Sequence, residues 1–464
     1  ALDSGDDVAV YTYGWDTAFA IPVPDVNRAI VDHESSPAGF SIQESTYTVK
    51  ADFGDWQITQ GGDGKNVRML LPLKHVVLHY TTTGQEYSFD SGQAVAEVEL
   101  HYIPHTGDGD GDPRALVVKT TTDQVDTPVF SVIQMTLSPT PGTVTGALIQ
   151  QALDDWGNAN LDEFSHVFSV VDLNLMVDQG AWGFVTPSYT SYAYLDGAGL
   201  DDSVFSVLCM TGQRSGAALS EQVSPHAIPA GSPAGFVVSQ ARTLYDLVRP
   251  AIMQAYPGLT DQNFLMNEDA TELYLTDHAS VSLPPVTQNG STYYPRLTQL
   301  TVKANGALLT LTSYTETDIV TGITATCTST HWYTLALGTS SAGQTIVFQE
   351  AQTPDIVHDI HQSPGSQLTQ LIIEIVAGIA ILLLVVLTDG AALVVGGLVA
   401  GLLLGADQIV PAAIEKVNHD DSPDVSLLLV NAVHPIRWSD STDFSLNTAA
   451  LNVSLQLGGN PNFV

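Results

Sequence analysis

Basic residues are scarce: the chain of 464 residues carries 14 Lys+Arg against 50 Asp+Glu, a formal net charge of −36. So few scattered cations cannot neutralise a run of phosphates, which excludes nucleic acid as a partner. The same field opposes electrostatic docking on anionic lipid, so any membrane contact has to be hydrophobic. Charged residues make up only 14 % and hydrophobic ones 44 %, the balance of a folded chain and not of a disordered acidic one. Cysteine is nearly missing; Cys209 and Cys327 stand outside any CxxC or zinc-ligand spacing, and their separation leaves pairing open. Also missing are a Walker loop, HExxH, GxSxG and a GxGxxG between strand and helix, so catalysis loses its commonest sequence support. The sequence starts at Ala1 without a charged segment leading into an apolar run, as expected of a trimmed or mature chain.

What is present reads mostly as β. Val95–Tyr102, Ala115–Thr122, Val129–Leu137 and Thr345–Gln349 mix β-branched residues with period-two alternation. A hairpin is expected from Leu297–Val302 through Asn305-Gly306 to Ala307–Thr312, with Asn-Gly supplying a type I′ turn. Ser and Thr at outward positions solvate such sheets without many charges. Three helical stretches interrupt them. Asp25 is positioned to cap a short helix carrying Val26 and Ile30. Thr145–Trp156 places Leu148, Ala152 and Trp156 on one face and is expected to stop at Gly157. Ser232–Tyr256 has Phe236, Val237, Leu244, Val248 and Ile252 at helical spacing, with a kink at Pro250 and a stop at Pro257-Gly258. Helices laid on antiparallel sheets give an α+β expectation. No short tandem repeat is visible.

One stretch differs from the rest. Leu371–Leu387 is apolar apart from Glu374, and Ala391–Ala406 is wholly apolar after the break at Thr388-Asp389-Gly390. As a helical hairpin, arms of about 16–17 residues would each span roughly 25 Å, slightly short of a ~30 Å hydrocarbon core. Gly397, Gly401 and Gly405 leave one face of the second arm bare for close approach of a partner helix. Two readings stay open: a hairpin packed within the fold, or a device for membrane insertion or self-association. Under the second, Ile372, Ile379, Leu383 and Val386 join the three glycines as candidate contact residues.

Polar clusters are few. Asp108, Asp110 and Asp112 alternate with glycines, and their oxygens on a flexible loop suit Ca²⁺. The EF-hand position twelve would fall on Lys119, so an acidic hairpin loop without metal is the simpler reading. His75 and His79 fall on one face of a strand, too far apart to share a metal. Asp355, His358, Asp359 and His361 read as a solvated linker before the apolar stretch, with a metal or pH-sensing site as the alternative. No catalytic residue stands out among the carboxylates.

Particular strings carry a family resemblance. Tyr11-Thr12-Tyr13-Gly14-Trp15-Asp16 resembles the opening of the clostridial P-forty-seven proteins, found beside the OrfX proteins in neurotoxin gene clusters. Asn160 through Phe168, Trp182 through Pro187 leading to Ser191-Tyr192-Ala193-Tyr194, Val207 through Thr211, Ala227 through Phe236, and Phe444–Gly459 follow in the family's order. The family is similar to the TULIP superfamily, in which elongated, highly curved antiparallel sheets wrap around long amphipathic helices and enclose an apolar groove. The resemblance implies two TULIP-like halves, 1–215 and 216–464, the second including the apolar hairpin 366–408. It implies a non-enzymatic binder of lipid or another apolar molecule, secreted or toxin-complex associated, working with sibling TULIP-like or toxin proteins. It implies no cofactor beyond a bound lipid, and a homo-oligomer is compatible with it. The resemblance departs in charge, since the clostridial members are far richer in Lys. Within the matched strings, Trp15 and Trp182 are expected to be core anchors, and Ile228–Pro233 a turn that starts the following helix.

Overall fold

The computed structural model describes residues 9–103, 128–168, 183–256, 258–283, 285–288, 290–340, 343–365 and 444–461. The first elements are β1 (Thr17–Pro22), α1 (Val23–Asp32), β2 (Gly39–Gln43), β3 (Tyr47–Phe53), β4 (Gln57–Asp63), β5 (Asn66–Tyr80) and β6 (Glu86–Glu99). They are followed by β7 (Phe130–Ser138), α2 (Thr143–Ala159), α3 (Asp162–Phe168), β8 (Pro187–Leu195), β9 (Val204–Thr211) and β10 (Ala234–Val238). A composite helix α4 then runs as Gln240–Arg242, a π-helical turn Thr243–Val248, and Arg249–Ala255. Short strands β11 (Phe264–Met266), β12 (Glu272–Leu275), β13 (Val281–Ser282), β14 (Val286–Gln288) and β15 (Ser291–Tyr293) precede long ones. These are β16 (Arg296–Asn305), β17 (Leu308–Val320), β18 (Ile323–Ser340) and β19 (Gly343–Gln362), and β20 (Phe444–Asn452) and β21 (Ser454–Pro461) close the order.

The described residues fall into two compact units: 10–238 with 444–447 and 456–461, and 239–365 with residue 9 and 448–455. One sheet has the order β20-β21-β10-β1-β9-β8, and another the order β2-β3-β5-β6-β7 with β4 also on β5. The third main sheet runs β11-β12-β16-β17-β18-β19, with β13 on β16. Every registered pair is antiparallel. Among the described residues, no helix is long and apolar enough to cross a membrane.

In the first unit the core is aromatic. Trp56 is fully buried, with Phe164 at 5.0 Å, Phe53 edge-on at 5.2 Å and Trp156 edge-on at 6.2 Å between ring centroids. Phe40 and Phe130 extend the cluster through Trp156 and Phe164. Trp15 is the expected anchor: it is fully buried, stacks on Tyr189, and donates its indole N–H to the Ser220 carbonyl at 2.9 Å. Trp182 lies outside the described residues.

Helix α2 covers the outer edge of β7 with side chains. Asn158 takes the Phe130 N–H at 3.0 Å and donates to the Phe130 carbonyl at 2.8 Å. Asp154 accepts the Val132 N–H at 2.6 Å, and Gln150 donates to the Val132 carbonyl at 2.9 Å. Residues four apart on a helix rise about 6 Å and residues two apart on a strand about 6.6 Å, so this spacing lets a helix stand in for a neighbouring strand. The edge that would otherwise invite another chain is thereby occupied at Phe130 and Val132.

Several expectations are corrected. Helix α1 begins at Val23 after Pro22, and Asp25 sits in its first turn paired with Arg28 at 2.9 Å instead of capping it. Helix α2 passes through Gly157 to Ala159; a Cβ at Gly157 would come within 2.3 Å of the Phe130 ring, so the glycine serves helix-to-strand packing. The expected helix from Ser232 starts only at Gln240, capped by Ser239, whose hydroxyl accepts the Arg242 N–H. Ala234–Val238 is instead a strand buried on both faces, pairing with β1, so Ile228–Pro233 leads into a strand. The π-helical turn ends at Val248, two residues before Pro250, which has no N–H for the regular ladder and whose ring crowds the preceding turn. The hairpin of β16 and β17 is present, but Asn305 pairs with Leu308, which makes Gly306-Ala307 the loop. Only Gly306 there has positive φ, +59°, the signature of a type II′ turn. Strand β6 stops at Glu99, and Leu100–Tyr102 is a single 3₁₀ turn. Ala115–Thr122 lies outside the described residues.

Candidate functional site

The long strands of the second unit carry an unusual inner face. Along β17, burial alternates strictly from Leu309 to Ile319, so Leu309, Leu311, Ser313, Thr315, Thr317 and Ile319 share the inward side. On β18 the buried series includes Ile323, Ala325, Cys327, His331, Tyr333 and Leu335. Register places Thr315 opposite Cys327 and Thr317 opposite Ala325. The middle of the inner face is therefore built from small side chains, with large ones on both sides. At one end Tyr333 stacks on His331 at 6.1 Å and meets Phe348 edge-on at 6.5 Å; at the other stand Ile319 and Ile323. Small inward residues between large ones reach less far into the interior, and we call this set-back band the trough; it is covered, none of Ser313, Thr315, Thr317, Ala325 and Cys327 being more than 9 % exposed.

The chemistry of the trough is dry and neutral. Burial pushes the Cys327 thiol up to about 12, so it stays protonated and is a poor nucleophile at neutral pH. Burial holds the His331 imidazole down to about 4, so it stays uncharged through the physiological range. Buried hydroxyls at Ser313, Thr315 and Thr317 give the face weak polarity without charge. Such a surface suits the apolar body of a ligand with few polar contacts. Outward positions of the same strands carry hydroxyls too, with Thr312 and Thr330 directly opposed, their oxygens 3.4 Å apart.

The first unit holds two polar clusters. Asp16, 5 % exposed, accepts the backbone N–H and hydroxyl of Thr211 and pairs with Arg214 at 2.8 Å. The cluster ties β9 to the segment before β1. Glu221, 6 % exposed, pairs with Nδ1 of His101 at 2.6 Å and accepts the Ser191 hydroxyl at 3.4 Å. Here the carboxylate stands between hydroxyl and imidazole, whereas nucleophilic catalysis places the imidazole on the hydroxyl. Both clusters read as clamps.

The residues singled out from sequence fare unevenly. Asp108, Asp110 and Asp112 lie outside the described residues, as do Ile372, Ile379, Leu383, Val386, Gly397, Gly401 and Gly405 and the hairpin that contains them. His75 sits at a bulge of β5 against β3 with φ +48° and pairs with Asp52 at 2.8 Å, while His79 faces Glu86 at 3.8 Å, so each has a different carboxylate. Asp355, Asp359 and His361 are not in a linker: they are exposed on β19, where Asp355 pairs with Thr330, Asp359 with Thr326 and His361 with Thr324. Among the described residues no group of His, Cys, Asp and Glu is arranged to hold a metal. Cys209 and Cys327 are both buried and are not joined in a disulfide. Sequence reading missed Ser313, Thr315, Thr317 and His331; the available signal was a strand with hydroxyls at both parities, which alternation alone does not orient.

Comparison with known proteins places this geometry in a family. The OrfX-like family, described as Protein OrfX2/OrfX3/P47, matches residues 12–459. The Protein OrfX3 of Paraclostridium bifermentans is 33% identical over 479 aligned residues, covering 97% of this chain and 98% of that protein. The Protein OrfX3 of Clostridium botulinum (strain Kyoto / Type A2) is 29% identical, with 97% and 98% covered. Among solved structures, P47 from Clostridium botulinum A2 matches with TM-score 0.59 at 15% identity, covering 97% of this chain and 98% of that one. P47 of Clostridium botulinum E1 matches with TM-score 0.57 at 12% identity, covering 97% and 100%.

Proposed function

The chain belongs to the OrfX-like family of OrfX2, OrfX3 and P47 proteins, and on that premise we propose that it is a non-enzymatic binder of a lipid or similar apolar molecule. It acts, in this reading, in a toxin-associated system beside sibling proteins, as the family resemblance implies. The fold we assign is TULIP-like, with the ligand lying along the inner face of β16–β19. The observation that carries the proposal is the trough formed by Ser313, Thr315, Thr317, Ala325 and Cys327 between larger buried side chains. Burial of an acyl chain there stabilises by ~0.8 kcal/mol per CH₂, so an acyl chain of ordinary length offers ample affinity without an ion pair. A buried protonated thiol and a neutral imidazole fit a binding role better than covalent chemistry.

The test is titration of the purified full chain with an environment-sensitive fluorescent fatty acid. Saturable binding is expected, and filling the trough with Thr315→Leu and Cys327→Leu should weaken it at least about tenfold, some 1.4 kcal/mol, while the far-ultraviolet spectrum stays unchanged. Equal binding by wild type and the filled variant would remove the trough from the account.

A second reading gives the apolar stretches Leu371–Leu387 and Ala391–Ala406 a role in self-association or membrane insertion. Its support is their apolarity all round and the spacing of Gly397, Gly401 and Gly405. Deleting 366–408 should then abolish oligomers or liposome binding and leave fatty-acid binding in place. The loop of Asp108, Asp110 and Asp112 offers Ca²⁺ oxygens, and elemental analysis of the purified chain decides whether calcium is held stoichiometrically.

A further inference from the structure

The segment before β1 spends stability on showing two aromatic rings to solvent. Thr12–Trp15 is a tight turn closed by the Trp15 N–H on the Thr12 carbonyl at 3.0 Å, with φ of +52° at Tyr13 and +95° at Gly14. Two positive φ angles define a type I′ turn, whose first central position favours Asn, Asp or Gly. A tyrosine there is strained by its Cβ. The turn is pinned from inside: a Cβ at Gly14 would meet Leu219 at 2.9 Å, and the buried Trp15 indole is fixed by Ser220 and Tyr189.

That strain leaves both rings substantially open to solvent. Tyr13 is 41 % exposed and Tyr11 52 % exposed, their ring centroids 6.4 Å apart and their planes tilted by 44°. The rings are neighbours on an exposed part of the surface. Ring faces carry negative potential, and the chain as a whole has a net charge of −36, so its long-range field draws cations toward the molecule and the rings can hold them.

We propose that Tyr11 and Tyr13 form a docking platform for an arginine-bearing segment of a basic partner protein. With the centroids 6.4 Å apart, one guanidinium seated over the pair can come within the ~6 Å over which a ring holds a cation, and its plane stacks where an ammonium does not. The platform is separate from the trough and stands whether or not the trough binds lipid.

The test uses the full chain with a short arginine peptide and a lysine peptide of equal length, at low salt and at about 0.5 M salt, where screening removes most of the long-range attraction. Wild type should prefer the arginine peptide by about threefold at high salt. Tyr13→Asn should erase that preference and raise Tm, since Asn accepts the left-handed backbone; the rise separates loss of the ring from damage to the turn. Tyr11→Phe, which keeps a ring, should retain the preference, as should Tyr294→Ser at a tyrosine 68 % exposed elsewhere. Equal affinity of Tyr13→Asn and wild type for the arginine peptide would overturn the proposal. So would a Tyr13-dependent attachment to phosphatidylcholine vesicles without any arginine preference.

Discussion

Each unit buries one stretch that contrasts with a stretch of the other. In the first, Phe40, Phe53, Trp56, Phe130, Trp156 and Phe164 fill their own interior, and the helix over it closes the sheet edge with Asn158, Asp154 and Gln150. In the second, the longest strands turn Ser313, Thr315, Thr317, Ala325 and Cys327 inward. An aromatic core is complete by itself. A band of small side chains fills less of the interior, and in our proposal a ligand takes the difference. The difference separates the part that holds the fold from the part proposed to hold a ligand.

The largest expected effect is on the closed core. Trp56→Ala should cost about 3–5 kcal/mol in urea unfolding, because a rigid ring cluster cannot collapse into the space left. Thr315→Ala in the trough should cost less than about 1 kcal/mol, since little packed volume is lost there. Similar losses at both positions would break the contrast.

Acid should act on the two regions with opposite sign. His331 is held neutral, its folded pKa of about 4 lying below the ordinary 6.5. Its contribution is therefore fully present above pH 6.5 and is lost as pH falls toward 4, by roughly 3 kcal/mol at most. His331→Phe should flatten that acid loss in a series of unfolding curves. Asp154 shifts the other way: burial raises its carboxyl, with the Val132 N–H as the opposing cause. Its charged form is disfavoured in the fold, so its contribution improves as pH falls through the raised value. Asp154→Asn should remove this smaller, inverse dependence, seen as a change in the slope of stability against pH in the acid range.

How much of this was legible from the residues follows from periodicity. The β16–β17 hairpin could be read because Asn305-Gly306 interrupts alternating runs, yet the loop is displaced by one residue, to Gly306-Ala307. Strand β10 was hidden because Ala234–Val238 is buried on both faces, so it shows no alternation and merges with the helix beginning at Gln240. Asp355, Asp359 and His361 resembled a linker because an exposed strand face carries the same charges as a loop. The trough was illegible for a different reason. Thr310 and Thr312 point out while Ser313 and Thr315 point in, and only the pairing of β17 with β18 makes the inward ones a continuous surface. The polar edge cover of α2 was equally invisible, because Gln150, Asp154 and Asn158 look like an ordinary solvated helix face until β7 lies beside them.

The most direct measurement is native mass spectrometry of the purified full chain, followed by organic extraction of the same sample. The account predicts discrete adducts of lipid mass on wild type, identified in the extract and lost from the Thr315→Leu, Cys327→Leu variant. A wild-type chain carrying no adduct, with an empty extract and no uptake of added fatty acid, would contradict it.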